Sequence, residues 1–224
     1  MKKESIENKS QKRLKGLSKA ISVIAIILKV FVWIAIVSIG LLLVATPFIL
    51  KDVKVVGDKI TYKNMDIDFE KQDEKDFKIL IKGKELSGQD EKAAFVKIKD
   101  FLDENSITKI TISTEILYVF SIGSLIIVAK ILSHVEQLFK NINEKDSPFI
   151  EENVIHLFSA GKLMIAVSVI SIVIELLFNF IYKSDASFGF TTIDVVTILV
   201  VFALAYIFEY GMLLQKDSKK KIYS

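Results

Sequence analysis

The chain has no cysteine, two prolines, two histidines and one tryptophan among its 224 residues. Without cysteine it forms no disulfide, holds no metal through a thiolate and carries no lipid on a cysteine. Charge of one sign is also scarce, because 30 basic residues face 27 acidic ones. This balance gives no reason to expect nucleic acid as a partner. The motifs of P-loop proteins, zinc metalloproteases, serine hydrolases and protein kinases are absent too. We therefore predict that the protein is not an enzyme and uses no cofactor and no metal.

Long apolar runs are what the sequence does contain. Hydrophobic residues make up 51% of the chain, its mean hydropathy is +0.44, and charged residues still account for 25%. Four runs are long enough to cross a bilayer, which takes about 20 residues of helix. We predict an all-α membrane protein with four transmembrane helices and a small extracytoplasmic α+β insertion between helices 1 and 2.

The predicted segments follow one another along the chain. They are a basic N-terminus at 1–19, helix 1 at 20–50, the α+β domain at 51–110, helix 2 at 111–135, a connector with a short interfacial helix at 136–160, helix 3 at 161–182, an external loop at 183–191, helix 4 at 192–214 and a basic tail at 215–224. The apolar run of helix 1 is longer than the core of a cleaved signal peptide, so we expect it to stay uncleaved.

Lysine and arginine are concentrated at the two ends of the chain. Seven of them fall within residues 1–19 and four within residues 216–224. Basic residues beside membrane helices stay on the cytoplasmic side, and an even number of spans returns both ends to one side. We predict a membrane protein with cytoplasmic termini, the α+β domain outside and the connector inside.

The region between the first two apolar runs alternates apolar and polar residues. Alternation at Ile60–Tyr62, Met65–Phe69 and Phe77–Ile81 predicts a sheet of three or four short strands. Helical spacing at Ala94–Leu102 predicts one helix against that sheet. About 60 residues bury only a marginal core. The domain should therefore lean on the membrane surface, on a protein or peptide ligand, or on a second copy of the chain.

Several polar or ionisable residues fall inside the predicted helices. They are Lys29, Glu115, Lys130, Ser171, Glu175, Asn179, Tyr206, Glu209 and Tyr210. An ionised group in lipid is costly unless it is paired or reaches the interface. We expect an ion pair from Glu209 to Lys130 or Lys29, shared with Tyr206 or Tyr210. This pair either has a function or only fixes the register of the helices.

Glu175 has no lysine at an obviously matching depth. Ser168, Ser171, Glu175 and Asn179 recur every three or four residues and so share one face of a helix. If Glu115 approached Glu175, the two carboxylates could hold a cation or shuttle a proton. The alternative is a Glu175 that bonds to Asn179 and Ser171. The histidines, His134 and His156, are too few for a zinc site, which takes three or four ligands, and we expect them to face solvent or an interface.

The connector contains a turn and a helix start. Helical spacing continues past helix 2 through Ile142, which predicts two further turns of helix. Ser147 is predicted to cap a short helix that begins at Pro148, and Glu151 and Glu152 favour the positive end of that helix. This short helix would lie at the interface and lead into helix 3.

Two stretches, Asn141–Val154 and Leu204–Gln215, resemble the bacterial membrane family catalogued as domain of unknown function 2975. The matching residues are Asn141, Ile142, Pro148, Phe149, Glu152 and Asn153, then Tyr206 through Gly211, Leu214 and Gln215. The chain departs from the family at Ile150, where a hydroxyl residue is usual, and at Lys219–Lys221, where the tail is often acidic. The resemblance implies a four-helix architecture and a regulatory or protective setting, and it implies no reaction.

Together these features favour a sensor, regulatory or immunity-type protein that acts through its extracytoplasmic domain. The helix at Pro148–Phe158 would then be the coupling surface on the cytoplasmic side. The alternative is a small permease or an ion or proton pathway that uses Glu175 and Glu209.

Overall fold

A computed structural model gives the structure of most of the chain. It describes residues 2–56, 59–62, 65–73, 76–81, 84–85, 107–145, 147–182 and 192–223. The helix predicted at Ala94–Leu102 and the external loop predicted at 183–191 lie outside these residues.

Four long helices account for most of the described chain. They are α1 (Lys2–Leu50), α2 (Ile107–Glu144), α3 (Glu151–Tyr182) and α4 (Thr192–Tyr223). Each contains a segment long and apolar enough to cross a membrane, namely Lys12–Leu50, Ile107–Glu144, Glu151–Phe180 and Asp194–Ser218. The prediction of four such helices is confirmed, and the pattern is typical of a multi-pass membrane protein.

Three helices, α1, α3 and α4, are longer than predicted, and α4 continues through most of the predicted basic tail to Tyr223. α1 begins at Lys2, so most of the basic N-terminus continues the first apolar run as helix. Lysine, glutamate, glutamine and leucine are good helix formers, and no proline interrupts residues 2–46. α3 runs from Glu151 to Tyr182 without a break, so the predicted interfacial helix and predicted helix 3 are one element. The predicted extension of helix 2 through Ile142 is confirmed, because α2 ends at Glu144.

An antiparallel sheet lies between α1 and α2 in the sequence. Its strands are β1 (Val53–Val56), β2 (Lys59–Tyr62), β3 (Met65–Asp73), β4 (Asp76–Ile81) and β5 (Lys84–Glu85). They pair in chain order as a meander.

The register of the sheet follows its apolar residues. Ile67 on β3 lies opposite Ile60 on one side and Ile81 on the other. A bulge interrupts β3 and β4 between Lys71 and Asp73, near the tip of their hairpin. The strands predicted from alternation fall within β2, β3 and β4. The number predicted, three or four, is too low because β1 and β5 are too short to show a pattern.

The described residues divide into two compact units. One comprises residues 1–38, 120–180 and 184–224, and the other comprises residues 39–119 and 181–183. The first unit has a small core of Leu138, Ile142, Leu157 and Ala205, with Phe139, Phe158 and Phe208 packed around it. This core joins the end of α2, the start of α3 and the second half of α4. Elsewhere in the unit, large apolar side chains such as Phe31, Val169 and Leu199 are exposed, as expected of helices that face lipid.

Candidate functional site: a connector cluster at one end of the bundle

A hydrogen-bonded group of polar residues, with the fully buried Asn153 at its centre, surrounds the short link between α2 and α3. Pro148 cannot continue a helix and disfavours helical geometry in the residue before it, so the chain turns here. Six residues meet around this turn: Asn141, Ser147, Phe149, Asn153, Gly211 and Gln215. We refer to these six residues as the connector cluster.

Asn153 is the centre of the connector cluster. It is 0% exposed, and both ends of its side-chain amide are paired. Its Oδ1 accepts a hydrogen bond from Nδ2 of Asn141 at 3.0 Å, and its Nδ2 donates to the carbonyl of Pro148 at 2.8 Å. One side chain thus ties the last turn of α2 to the link and to the first turn of α3. A buried amide is tolerated when its donor and acceptor are both used, as they are here.

Ser147 ties the link to α4. Its Oγ accepts from Nε2 of Gln215 at 2.7 Å and donates to Oε1 of the same residue at 3.0 Å. The same oxygen accepts from the backbone N–H of Phe149 at 3.1 Å. The donor and the two lone pairs of the hydroxyl are therefore all engaged.

The predicted role of Ser147 as a helix N-cap is wrong. α3 begins at Glu151, and its first turn is closed by the backbone N–H groups of Asn153 and Val154, both of which donate to the carbonyl of Ile150. Ser147 instead forms a tight turn with Phe149 ahead of the helix. The prediction was wrong because it took Pro148 as the first residue of the helix, whereas Pro148 lies in the link and the helix begins at Glu151.

Phe149 is held against α4 by a glycine. A Cβ placed on Gly211 would lie 2.6 Å from Cδ1 of Phe149, which is closer than any carbon contact allows. The ring also meets Phe208 edge-on, with 5.3 Å between centroids. Only glycine fits at position 211 while Phe149 keeps this position.

Aromatic packing between α3 and α4 continues beyond the connector cluster. Phe158 meets Tyr206 edge-on at 5.2 Å and Phe202 at 6.1 Å between centroids. A Cβ on Gly161 would lie 3.0 Å from the ring of Phe202. Tyr206, predicted to share an ion pair, is 62% exposed and uses its ring in this packing.

The two stretches that carry the family resemblance thus meet in the structure. Asn141, Phe149 and Asn153 come from the first stretch, and Gly211 and Gln215 come from the second. Pro148 contributes its carbonyl. Other matching residues stay outside the cluster. Among them, Glu152 and Tyr210 are exposed, and Glu209 is half-buried and forms no hydrogen bond or ion pair with the described residues.

Lys29 has a different partner from the one predicted. Its ammonium lies 2.5 Å from Oε2 of Glu136 on α2, and the two side chains are 28% and 18% exposed. The prediction that Lys29 pairs with Glu209 is therefore wrong. Lys130 is exposed, and no ion pair joins it to Glu209 in the described part of the chain. Depth estimated by counting residues put Glu136 outside helix 2, and for this reason the pair was missed.

Ser18 provides a second tie between α1 and α2. It is 2% exposed and donates a hydrogen bond to the carbonyl of Phe139. Nothing in the local sequence marks Ser18, because a serine in a basic helical stretch usually faces water.

The polar face of α3 is built in a different way. Ser168 and Ser171 donate to the carbonyls of Met164 and Val167 in their own helix, at 3.0 and 3.1 Å. Asn179 keeps its Oδ1 buried and, within the described residues, without a hydrogen-bond partner. Glu175, one turn earlier, is half-buried. We call Ser168, Ser171, Glu175 and Asn179 the α3 stripe.

Glu115 lies on α2 in the other compact unit, and it is half-buried there. Its predicted approach to Glu175 stays a prediction. The alternative in which Ser171 bonds to Glu175 is not seen among the described residues, where the Ser171 hydroxyl donates to the carbonyl of Val167.

His134 and His156 form a contact between α2 and α3. Their Nδ1 atoms are 3.1 Å apart and their ring centroids 5.3 Å apart. One imidazole donates and the other accepts, so at least one of them is neutral while the contact lasts. Across the described ranges, no group of three or more histidines and acids is arranged to hold a metal.

A pocket of about 390 Å³ opens beside the connector cluster. Its lining comes from the link, the start of α3 and the end of α4. The lining residues are Lys145, Ser147, Phe149, Ile150, Glu151, Met212, Gln215 and Lys216. This pocket joins an apolar wall to two ammonium groups.

Neither a protein-family model, nor a curated protein, nor a solved structure matches the chain. The resemblance carried by the connector cluster therefore stays a prediction, and function has to be argued from the geometry.

Proposed function

We propose that the chain is a sensor, regulatory or immunity-type protein of the bacterial plasma membrane and that it catalyses no reaction. Residues 51–110 would face the outside and receive a protein or peptide, and the connector cluster would couple that event to the cytoplasmic side. We also propose that it belongs with the family of unknown function 2975, because the residues that carry the likeness pack against one another.

The observation that carries the proposal is the placement of the sheet. Five strands lie between α1 and α2, and they belong to a compact unit distinct from the unit that holds the connector cluster. A sheet inserted into a loop between apolar helices is placed to bind a partner at a membrane surface, since loops carry function and scaffolds position them.

The chemistry of the connector cluster supports a coupling role over a catalytic one. The amide of Asn153 and the hydroxyl of Ser147 are hydrogen-bonded to other residues of the same chain. A general acid, base or nucleophile needs a group free to meet a substrate. A locked junction of three helices suits a coupling element, because packed interfaces switch between discrete arrangements.

Sidedness is the first thing to test. A cysteine introduced as Asp73→Cys in β3 should react with an impermeant thiol reagent added to intact cells. A cysteine introduced as Ser218→Cys near the end of α4 should react only after the cells are opened. The native chain has no cysteine, so every signal reports the introduced site. Protection of Asp73→Cys together with reaction of Ser218→Cys in intact cells would invert the proposed orientation.

Partner binding can be tested in the full-length protein. A photo-crosslinking residue at Thr61 in β2 should capture one discrete protein or peptide at the cell surface. The same residue at Val200, which is 51% exposed on α4, is the matched control and should capture lipid only. Equal capture at both positions, or none at Thr61, would contradict a receptor role for the sheet.

A small ion or proton pathway is the second candidate, and one observation favours it. Asn179 has a buried oxygen without a partner in the described residues, one turn from the half-buried Glu175. Polar groups left open inside membrane helices often mark ion pathways. Purified protein in liposomes should then pass protons or cations, and Glu175→Gln should abolish the flux whereas Ser168→Ala should not. The absence of flux in the native protein would remove this candidate.

A further inference from the structure

The pocket beside the connector cluster combines a fixed frame with an unequal distribution of charge. Its frame is held by the paired Ser147 and Gln215, and by Phe149, whose ring is seated on Gly211. These contacts all join residues of the chain, so the protein itself fixes the frame of the pocket. A preformed site loses little conformational freedom on binding.

Charge on the pocket wall favours an anion. Lys145 and Lys216 both line the pocket, both are exposed, and neither forms an ion pair in the structure as described. Among the lining residues that the structure describes, Glu151 is the only acid, so the formal charge of this described lining is +1. The carboxylate of Glu151 moderates the attraction and does not cancel it.

The remaining wall of the pocket is apolar. Phe149, Ile150 and Met212 supply it. A small soluble anion would bind poorly against this apolar wall, because it would lose part of its hydration shell there without gaining hydrogen bonds. A ligand with a phosphate and an apolar portion fits both halves of the lining.

The position of the pocket along the helices narrows the ligand further. It lies where the apolar segments Ile107–Glu144 and Asp194–Ser218 end and where the segment Glu151–Phe180 begins. These segments are longer than the about 20 residues that cross the hydrocarbon, so if the helices cross a bilayer, this end of the bundle lies at or beyond the lipid headgroups. Basic pockets between membrane helices at that depth bind anionic lipid headgroups.

We propose that this pocket binds an anionic phospholipid, with its phosphate between Lys145 and Lys216 and the start of its acyl chains on Phe149, Ile150 and Met212. The proposal rests on the membrane placement of the chain and is independent of what the sheet binds. The bound lipid would stabilise the connector cluster by contacting both the end of α2 and the end of α4.

The test uses full-length protein in nanodiscs of mixed phosphatidylglycerol and phosphatidylcholine. Native mass spectrometry of the protein released from the discs measures the ratio of the two lipids retained. Lys145→Gln and Lys216→Gln should each lower the preference for phosphatidylglycerol about fivefold, which corresponds to about 1 kcal/mol per basic side chain near an anionic surface. Glu151→Gln should raise the preference.

Matched controls separate the pocket from general attraction to basic surfaces. Lys140 and Lys220 are exposed lysines near the same ends of α2 and α4, and neither lines the pocket. Lys140→Gln and Lys220→Gln should leave the lipid ratio unchanged. An equal drop in the pocket and control variants would overturn the proposal, and so would an unchanged ratio in Lys145→Gln and Lys216→Gln.

Two further outcomes are decisive. Displacement of phosphatidylglycerol by inorganic phosphate at the same total charge would replace the lipid with free phosphate as the ligand. Failure of the protein to enter nanodiscs at all would count against the membrane placement, whereas normal entry without selective retention counts against the pocket alone. Circular dichroism of each variant confirms that the helices are intact.

Discussion

The connector cluster and the α3 stripe hold their polar side chains in opposite ways. In the connector cluster, the amide of Asn153 bonds at both ends to other elements of the same chain. In the α3 stripe, the serines bond to their own helix, and Asn179 keeps a buried oxygen unpaired among the described residues. Both regions belong to one compact unit and include residues of one helix, α3.

This contrast distinguishes a polar network that holds helices together from a polar group that lacks a partner among the described residues. A buried polar network whose groups are all paired specifies one arrangement of its helices. A buried group left unpaired costs free energy unless water, an ion or a neighbouring molecule meets it. Substitutions in the connector cluster are therefore expected to lower the free energy of unfolding. Substitutions in the α3 stripe are expected to change its contacts with water, ions or other molecules in the membrane.

The largest expected effect is the loss of the central amide. Asn153→Ala removes both hydrogen bonds and leaves the amide of Asn141 and the carbonyl of Pro148 without these partners in partly buried surroundings. The free energy of unfolding should fall by about 3 kcal/mol. Asn179→Ala should cost less than about 1 kcal/mol, because the oxygen it removes has no partner in the described structure. Unfolding by a denaturing detergent, followed by circular dichroism, measures both.

This comparison can fail in two ways. If Asn179→Ala cost as much as Asn153→Ala, Asn179 would have a partner that the described residues do not include. If Asn153→Ala were harmless, the three-helix junction would not depend on its amide. Asn153→Asp keeps the acceptor, and at a pH where its carboxyl is protonated the O–H group can still donate to the Pro148 carbonyl, so its stability should fall between native and Asn153→Ala there. At a pH where the carboxyl is ionised the donor is lost and the variant should be less stable.

Next in size is a methyl group added at the contact between the link and α4. Gly211→Ala places a Cβ inside the contact distance of the Phe149 ring, so the ring must shift. Overpacking costs typically 1–3 kcal/mol, and the better helix propensity of alanine offsets about 1 kcal/mol of it. We expect a net loss of about 1–2 kcal/mol in the same unfolding assay.

Gly123 provides the matched control for this prediction. No atom lies within 4 Å of a Cβ built there, so Gly123→Ala should be stabilising by about 0.5–1 kcal/mol. Equal effects at the two glycines would mean that Phe149 moves freely. The contact would then carry no coupling between the link and α4.

The elements that sequence predicted best are those with a long repeating signal. Each of the four helices contains an apolar run that no soluble segment of this chain matches, and β2, β3 and β4 alternate over enough residues to be recognised. Short or mixed elements escaped. β1 directly follows the end of α1, β5 has two residues, and the start of α1 is helical without any apolar period.

The sequence identifies the two stretches that form the site, but it does not predict that they pack against each other. Pairing of Asn141 with Asn153 spans a short stretch of chain and could follow from a helical hairpin. Pairing of Ser147 with Gln215 crosses most of the second half of the chain, and it depends on the rotation of α4, which no periodicity fixes. Likewise, counting residues from an assumed membrane edge cannot decide whether Lys29 reaches Glu136 or Glu209.

A moderate effect is expected at the pair that joins α1 to α2. Lys29→Gln or Glu136→Gln should each lower the free energy of unfolding by about 1 kcal/mol, since the pair is partly exposed to its surroundings. The exchanged double variant Lys29→Glu with Glu136→Lys should recover most of that loss. Coupling measured by a double-mutant cycle should be absent between Lys130 and Glu209. Coupling there and none at Lys29 would restore the pairing expected from sequence.

The smallest expected effect is at a hydroxyl of the α3 stripe. Ser171 donates to the carbonyl of Val167, and that carbonyl belongs to the backbone ladder of the same helix. Ser171→Ala should therefore change the free energy of unfolding by less than about 0.5 kcal/mol, as at sites without tertiary partners. A loss well above that value would show that Ser171 meets another chain, an ion or water in the membrane. The α3 stripe would then be a binding surface. It would differ from the connector cluster only in that its polar groups bond to partners outside the chain.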